Sequence, residues 1–158
     1  MDGWDMYKSA AREPDSMHQV LLPVHTNVER ALSQANFVAE LAEEGTEIEA
    51  FVLFVFTGRE RSPDTPEEMK RFDSPTRIDA VRRVMEVLDD ADVEYHIQED
   101  SGEVADDIIE DAEARDIDQI VLGGRKRSPA GKILFGSVTQ EVLLNTDRPV
   151  TVTTAQSE

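Results

Sequence analysis

The chain has 158 residues and no cysteine, with 34 acidic against 16 basic side chains and a formal net charge of −18. That length suits one domain with a full core, and the missing cysteines remove disulfides, thiolate catalysis and cysteine metal sites together. So acidic a surface lacks the basic footprint that nucleic acid requires, and no apolar run approaches the ~18 residues of a membrane span.

Residues 1–17 carry Gly3, Pro14, mixed charges and no clear period, and read as an extension ahead of a single domain over 18–155. His18 to Val24 is a short apolar run, the first strand. A helix is expected from about Asn27 to Glu44, with Val28, Ala31, Leu32, Ala35, Val38, Ala39 and Ala42 at helical spacing and Gly45 as its stop. Residues 47–56 form the second strand, whose continuous apolar end suggests burial on both faces. A charged loop with Pro63 and Pro66 runs from Thr57 to Asp73. The second helix is expected from Ser74-Pro75, a cap followed by a first-turn proline, to about Asp90, with Ile78, Val81, Met85 and Leu88 inward. Residues 93–99 alternate as the third strand, and a third helix over 102–115 buries Val104, Ala105, Ile108, Ile109 and Ala112. Gln119–Gly123 is the fourth strand, 137–145 the fourth helix, and Val150–Thr154 the fifth strand after Arg148-Pro149. Five strands alternating with four helices imply an α/β fold, its mostly parallel sheet covered by helices on both faces. In such open sheets ligands bind beyond the carboxyl ends of the strands, where the strand order reverses.

Residues 120–138 carry the strongest functional signal. An apolar run ends in Gly123-Gly124, a loop follows with Arg125, Lys126, Arg127 and Lys132, and Gly136-Ser137 opens the next helical pattern. Glycine lets backbone amides approach an anion, and a helix start offers unpaired N–H groups with partial positive charge. This basic island is a candidate phosphate site on an otherwise acidic chain. It is not a Walker A loop: Ile133 follows Gly131-Lys132 where Ser or Thr should hold magnesium, and Lys126 stands in place of the first glycine. No G-x-G-x-x-G follows the first strand.

The spacing Gly123, position 126, Gly136-Ser137 resembles the G-x2-G-x9-G-[ST] motif of the universal stress protein (UspA-like) family. The first strand with Pro23, the alanine-rich first helix, the fourth strand and the closing Asp147-Arg148-Pro149-Val150 extend the resemblance over roughly residues 18–155. It implies an adenine nucleotide alpha hydrolase-like sandwich with strand order 3-2-1-4-5, a two-fold dimer through the last strand and, in one branch, bound ATP. Pro23, Val24, Val55, Gly123, Gly124, Gly136, Ser137 and Val138 fall at matching positions. His25, Arg125 and Lys126 complete the candidate site. The chain departs from the family at two of its positions. His25 replaces the strand-one Asp near the ribose, and Lys126 replaces the middle glycine, offering a point charge instead of a left-handed backbone.

We therefore expect a stress-response regulator that binds ATP or another adenine nucleotide, with magnesium only alongside the nucleotide and little or no turnover. The alternative is a ligand-independent dimeric interaction module that keeps the motif only as a helix start, with Ser137 as its N-cap and the basic loop as solvated charge. Nothing resembles a nucleophile with its base, so no catalytic residue is assigned and no enzyme is expected. His18, His25 and His96 are widely spaced, a histidine metal site would need two of them together, and none is assigned. The last strand is β-branched with no gatekeeper after Pro149, which favours edge pairing into a homodimer over residues 150–154. The polar N-terminus, without a signal-peptide core, points to the cytoplasm. Charge repulsion fades at molar salt, where the Debye length is about 3 Å, which points to a halophilic source.

Overall fold

The computed structural model describes residues 17–56, 75–124 and 135–154. Strand β1 (His18–Pro23) leads into helix α1 (Val28–Glu43), and β2 (Ile48–Phe56) follows. Helix α2 (Asp79–Asp90), β3 (Glu94–Ser101), α3 (Val104–Ala114), β4 (Gln119–Gly124), α4 (Ser137–Asn145) and β5 (Val150–Thr154) complete the order. The strands form one parallel sheet in the order β3-β2-β1-β4-β5. This is the architecture and strand order expected from the sequence. The charged loop and the residue 1–17 extension lie outside the described residues.

Strand alternation divides the core into two layers. Val20 and Leu22 of β1, Ala50, Val52 and Phe54 of β2 and Val121 of β4 face Ala31, Ala35 and Val38 of α1 and Ala80, Val81, Val84 and Leu88 of α2. Leu21, Phe51, Leu53, Val55, Ile120 and Leu122 face the other way, onto Ala105, Ile108 and Ala112 of α3 and Val142 of α4. From Ile48 to Val55, β2 is buried on both faces apart from Glu49, as its apolar run implied for a parallel sheet.

Local signals explain most boundaries. Asn27 caps α1, its Oδ1 accepting from the Arg30 N–H at 3.0 Å. Gly45 follows the helix at φ +106°, a conformation that side chains with a Cβ rarely adopt. Two starts differ from expectation. Pro75–Arg77 forms a 3-10 turn, and α2 begins only at Asp79 behind Ile78, which offers no side-chain cap. The proline sets φ for a tight turn, but the chain must still bend before the apolar face of α2 reaches the sheet. At α4, Gly136 occupies the cap position and Ser137 is the first helical residue, so Ser137 is not the N-cap.

The acidic excess is felt locally. Burial, then the neighbouring Asp100, Glu110, Asp106 and Glu103, push the Asp107 carboxyl on α3 above the usual carboxylate range.

Candidate functional site

The sheet opens where β1 meets β4. β1 pairs with β2 along its whole length, from His18 to Pro23. Its recorded pairing with β4 is confined to Val20↔Gln119 and Leu21↔Ile120. The strand order reverses at this junction: from β1 the chain crosses to β2 on one side, and β4 lies on the other. Gln34, only 2% exposed, reaches from α1 into the gap. Its Nε2 donates to the Pro23 carbonyl at 2.7 Å and to the Val121 carbonyl at 2.9 Å, so one carboxamide bridges the two diverging strands.

Beyond this bridge lies a cavity of about 330 Å³ at the carboxyl ends of β1, β2 and β4. Pro23, Val24 and His25 line it from the end of β1, Val55 from β2, Gly123 from β4, and Gly136, Ser137 and Val138 from the start of α4. These are residues that the sequence pattern singled out, gathered from positions more than 100 apart. Gly124 is buried at the end of β4, in register with Thr154, and does not line the cavity. Arg125 and Lys126 lie outside the described residues.

Sequence reading missed the contribution of the two flanking helices. Asn27, Arg30 and Gln34 line the cavity from α1, Val104 and Ile108 from α3, and Thr139, itself buried, from α4. A signal for Gln34 was present: it stands three residues after Ala31 and four before Val38, on the face that packs against the sheet. A polar side chain there must find partners inside.

The lining mixes two chemistries. Val24, Leu53, Val55, Val104, Ile108 and Val138 are its apolar residues, and Arg30, Ser137, Thr139 and the amino end of α4 are among its polar ones. Helix α4 starts with no side-chain cap bond, so the partial positive charge of its first N–H groups is directed at its amino end. The His25 ring lies nearly parallel to Phe54, with centroids 6.0 Å apart and 12° between planes, and its Nδ1 is 3.2 Å from Thr26 Oγ1. Gly123 lets β4 pass close under α1. A Cβ built there would lie 3.1 Å from Arg30 Cβ, 3.2 Å from the Arg30 carbonyl oxygen and 3.2 Å from Gln34 Oε1.

No helix among the described residues is long and apolar enough to cross a membrane.

Comparison with known proteins agrees with this fold. Over 64 residues the chain is 34% identical to a universal stress protein from Mycolicibacterium smegmatis, a match spanning 40% of this chain and 49%, about half, of that relative. The universal stress protein from Archaeoglobus fulgidus superposes with a TM-score of 0.68 at 27% identity, covering 87% of this chain and 98% of that one. An Archaeoglobus fulgidus universal stress protein solved in complex with dAMP shares the fold at 21% identity and a TM-score of 0.64, with the same coverage. The model of the universal stress protein family matches residues 17–154, a span that includes every described residue, and the protein belongs to that family.

Proposed function

We propose that this protein binds an adenine nucleotide of the ATP type in the cavity between β1 and β4, and acts as a stress-response regulator with little or no turnover. The observation that carries the reading is the lining of that cavity: apolar residues at a strand-order reversal, together with the start of α4, which has no side-chain cap bond. Its 330 Å³ lies at the small end of ligand pockets, roughly 300–1,000 Å³. The apolar residues suit the base. The first N–H groups of α4, the Ser137 hydroxyl and Arg30 suit ribose and phosphate oxygens. The Archaeoglobus fulgidus relative solved with dAMP supports the choice of an adenine ligand. His25 carries ring nitrogens where the family has an Asp, so it meets a ribose hydroxyl with one hydrogen bond in place of a carboxylate's two acceptors. Magnesium enters only with the nucleotide, through phosphate oxygens. The proposed role is binding, without a chemical step.

Calorimetric titration with ATP, ADP and AMP in molar salt tests the reading. Saturable binding of at least one of them, with no phosphate release on the same timescale, is expected. Absence of binding at millimolar nucleotide would leave the alternative, a ligand-independent dimeric module of the same fold.

The proposed assembly is a homodimer through β5. This strand ends the sheet beside β4, its other edge pairs with no strand among the described residues, and each of its residues is only half-buried. Leu143 and Leu144 of α4 are also exposed, Leu144 by 82%, and add apolar surface just ahead of that strand. Each chain brings a net charge of −18, so association should strengthen as salt screens it. Light scattering across a salt series should show a dimer at molar salt that loosens in dilute buffer. A monomer at every salt concentration refutes the assembly, and a dimer that survives Val150→Pro with Val152→Pro places the interface elsewhere.

A further inference from the structure

At the amino ends of β2 and β3, about 20 Å along the sheet from Val55 and the cavity, three ligating side chains converge. Glu49 and Glu94 are register partners across the parallel pair, and His96 follows Glu94 by two residues, on the same face of the sheet. His96 Nε2 is 2.8 Å from Glu49 Oε2. One donor atom from each of Glu49, Glu94 and His96 lies within 4.8 Å of the others.

Neighbouring groups hold two of these side chains in place. The His96 ring stacks on Phe51, centroids 5.1 Å apart and 23° between planes. Gln19 Nε2 donates to Glu49 Oε1 at 3.0 Å, which leaves Oε2 turned toward His96. Contacts of this kind orient ligands in metal sites. A simple Glu49–His96 ion pair has no use for Glu94: two carboxylates directly opposite on a strand pair repel. A cation between them removes that cost.

We propose that Glu49, Glu94 and His96 form a surface site for a divalent transition-metal ion of the zinc type. The donor set of one imidazole nitrogen and two carboxylate oxygens favours such an ion over magnesium or calcium, which prefer oxygen alone. Three protein ligands leave the remaining coordination to water. Bonds of about 2.0–2.2 Å in a tetrahedral site place donor atoms roughly 3.3 Å apart. The Glu49–His96 pair must therefore open slightly and lose its shared hydrogen, and the exposed Glu94 must close in. The positive charge of Arg115 also acts on Glu49 and limits the affinity. The bound ion would tie edge strand β3 to β2 and stabilise the fold by mass action.

The test uses the full chain, freed of nucleotide, in molar potassium chloride with millimolar magnesium to occupy diffuse acidic sites. Titration with cobalt chloride is read by visible absorption and with zinc chloride by calorimetry. The expected result is saturation at a single equivalent of Co²⁺ with an intense low-coordinate visible band. Affinity should fall roughly tenfold or more in His96→Gln and in Glu94→Gln. His18→Gln, which alters the neighbouring strand but none of the three ligands, should bind as the parent does. Far-UV circular dichroism identical to the parent certifies the variants as folded. Equal binding in His96→Gln and Glu94→Gln, binding abolished by magnesium, or no Co²⁺ band at all each overturns the proposal.

Discussion

Replacing Gln34 by leucine is expected to lower the stability of the fold by about 2–5 kcal/mol. The side chain keeps much of its volume, so the loss is mainly electrostatic. The carbonyls of Pro23 and Val121 lose the donor that now serves both, at 2.7 and 2.9 Å. A buried acceptor left unpaired costs about 1–3 kcal/mol, and there are two of them at the point where β1 and β4 separate. Gln34→Ala should cost less than its larger lost volume suggests, because the adjoining cavity can admit a water to the freed carbonyls. The order is therefore opposite to that of an apolar core position, where alanine is the worse choice. Urea denaturation monitored by circular dichroism measures both. A leucine variant within about 1 kcal/mol of the parent would show that the bridge is not what holds the gap.

The second large effect is expected at Gly123. Gly123→Val places a Cβ against the Arg30 carbonyl oxygen at 3.2 Å and Arg30 Cβ at 3.1 Å, before its two methyl groups are counted. The Arg30 contact includes backbone of α1, which cannot rotate aside as a side chain would. Overpacking of this kind costs about 1–3 kcal/mol. The strain can be relieved only by lifting α1 from β4, and both elements line the cavity. Nucleotide affinity should fall at least tenfold, or about 1.4 kcal/mol in binding free energy. Thermal melting gives the first quantity and calorimetric titration the second. Unaltered nucleotide binding by a folded Gly123→Val protein would remove the β1–β4 cavity as the ligand site. Gly123→Ala should show the same two effects in smaller measure, since its single Cβ asks its neighbours to give only a few tenths of an ångström.

The sheet was legible in the sequence because its signals are local. The apolar run of β2 is continuous where β2 is buried on both faces, and the alanine stripe of α1 is the stripe that packs on the sheet. Gly45 and Asn27 mark the ends of α1 by backbone conformation and by a side-chain cap, which each residue carries with it. Where a boundary depended on how an element docks, the local signal misled. Ser74-Pro75 reads as a helix start, yet the chain first turns through Pro75–Arg77 and α2 begins at Asp79.

Sequence alone also determined which chain segments meet at the candidate site. Gly123, Gly136 and Ser137 carry a spacing that reads as strand, loop and helix start, strand-end logic adds Val24 and His25, and the family resemblance adds Pro23 and Val55. It could not determine what completes the walls. Arg30, Gln34, Val104, Ile108 and Thr139 reach the cavity because of how α1, α3 and α4 lie on the sheet, and the angle of a helix leaves no trace in its own periodicity. The pairing of Glu49 with His96 is the sharper case. The two stand 47 residues apart, each at an ordinary strand position. Their meeting depends on the register of β2 against β3, and a shift of one residue would send one of them to the opposite face. Periodicity tells a residue which face of its own element it occupies, but only tertiary packing decides which residue of another element stands opposite.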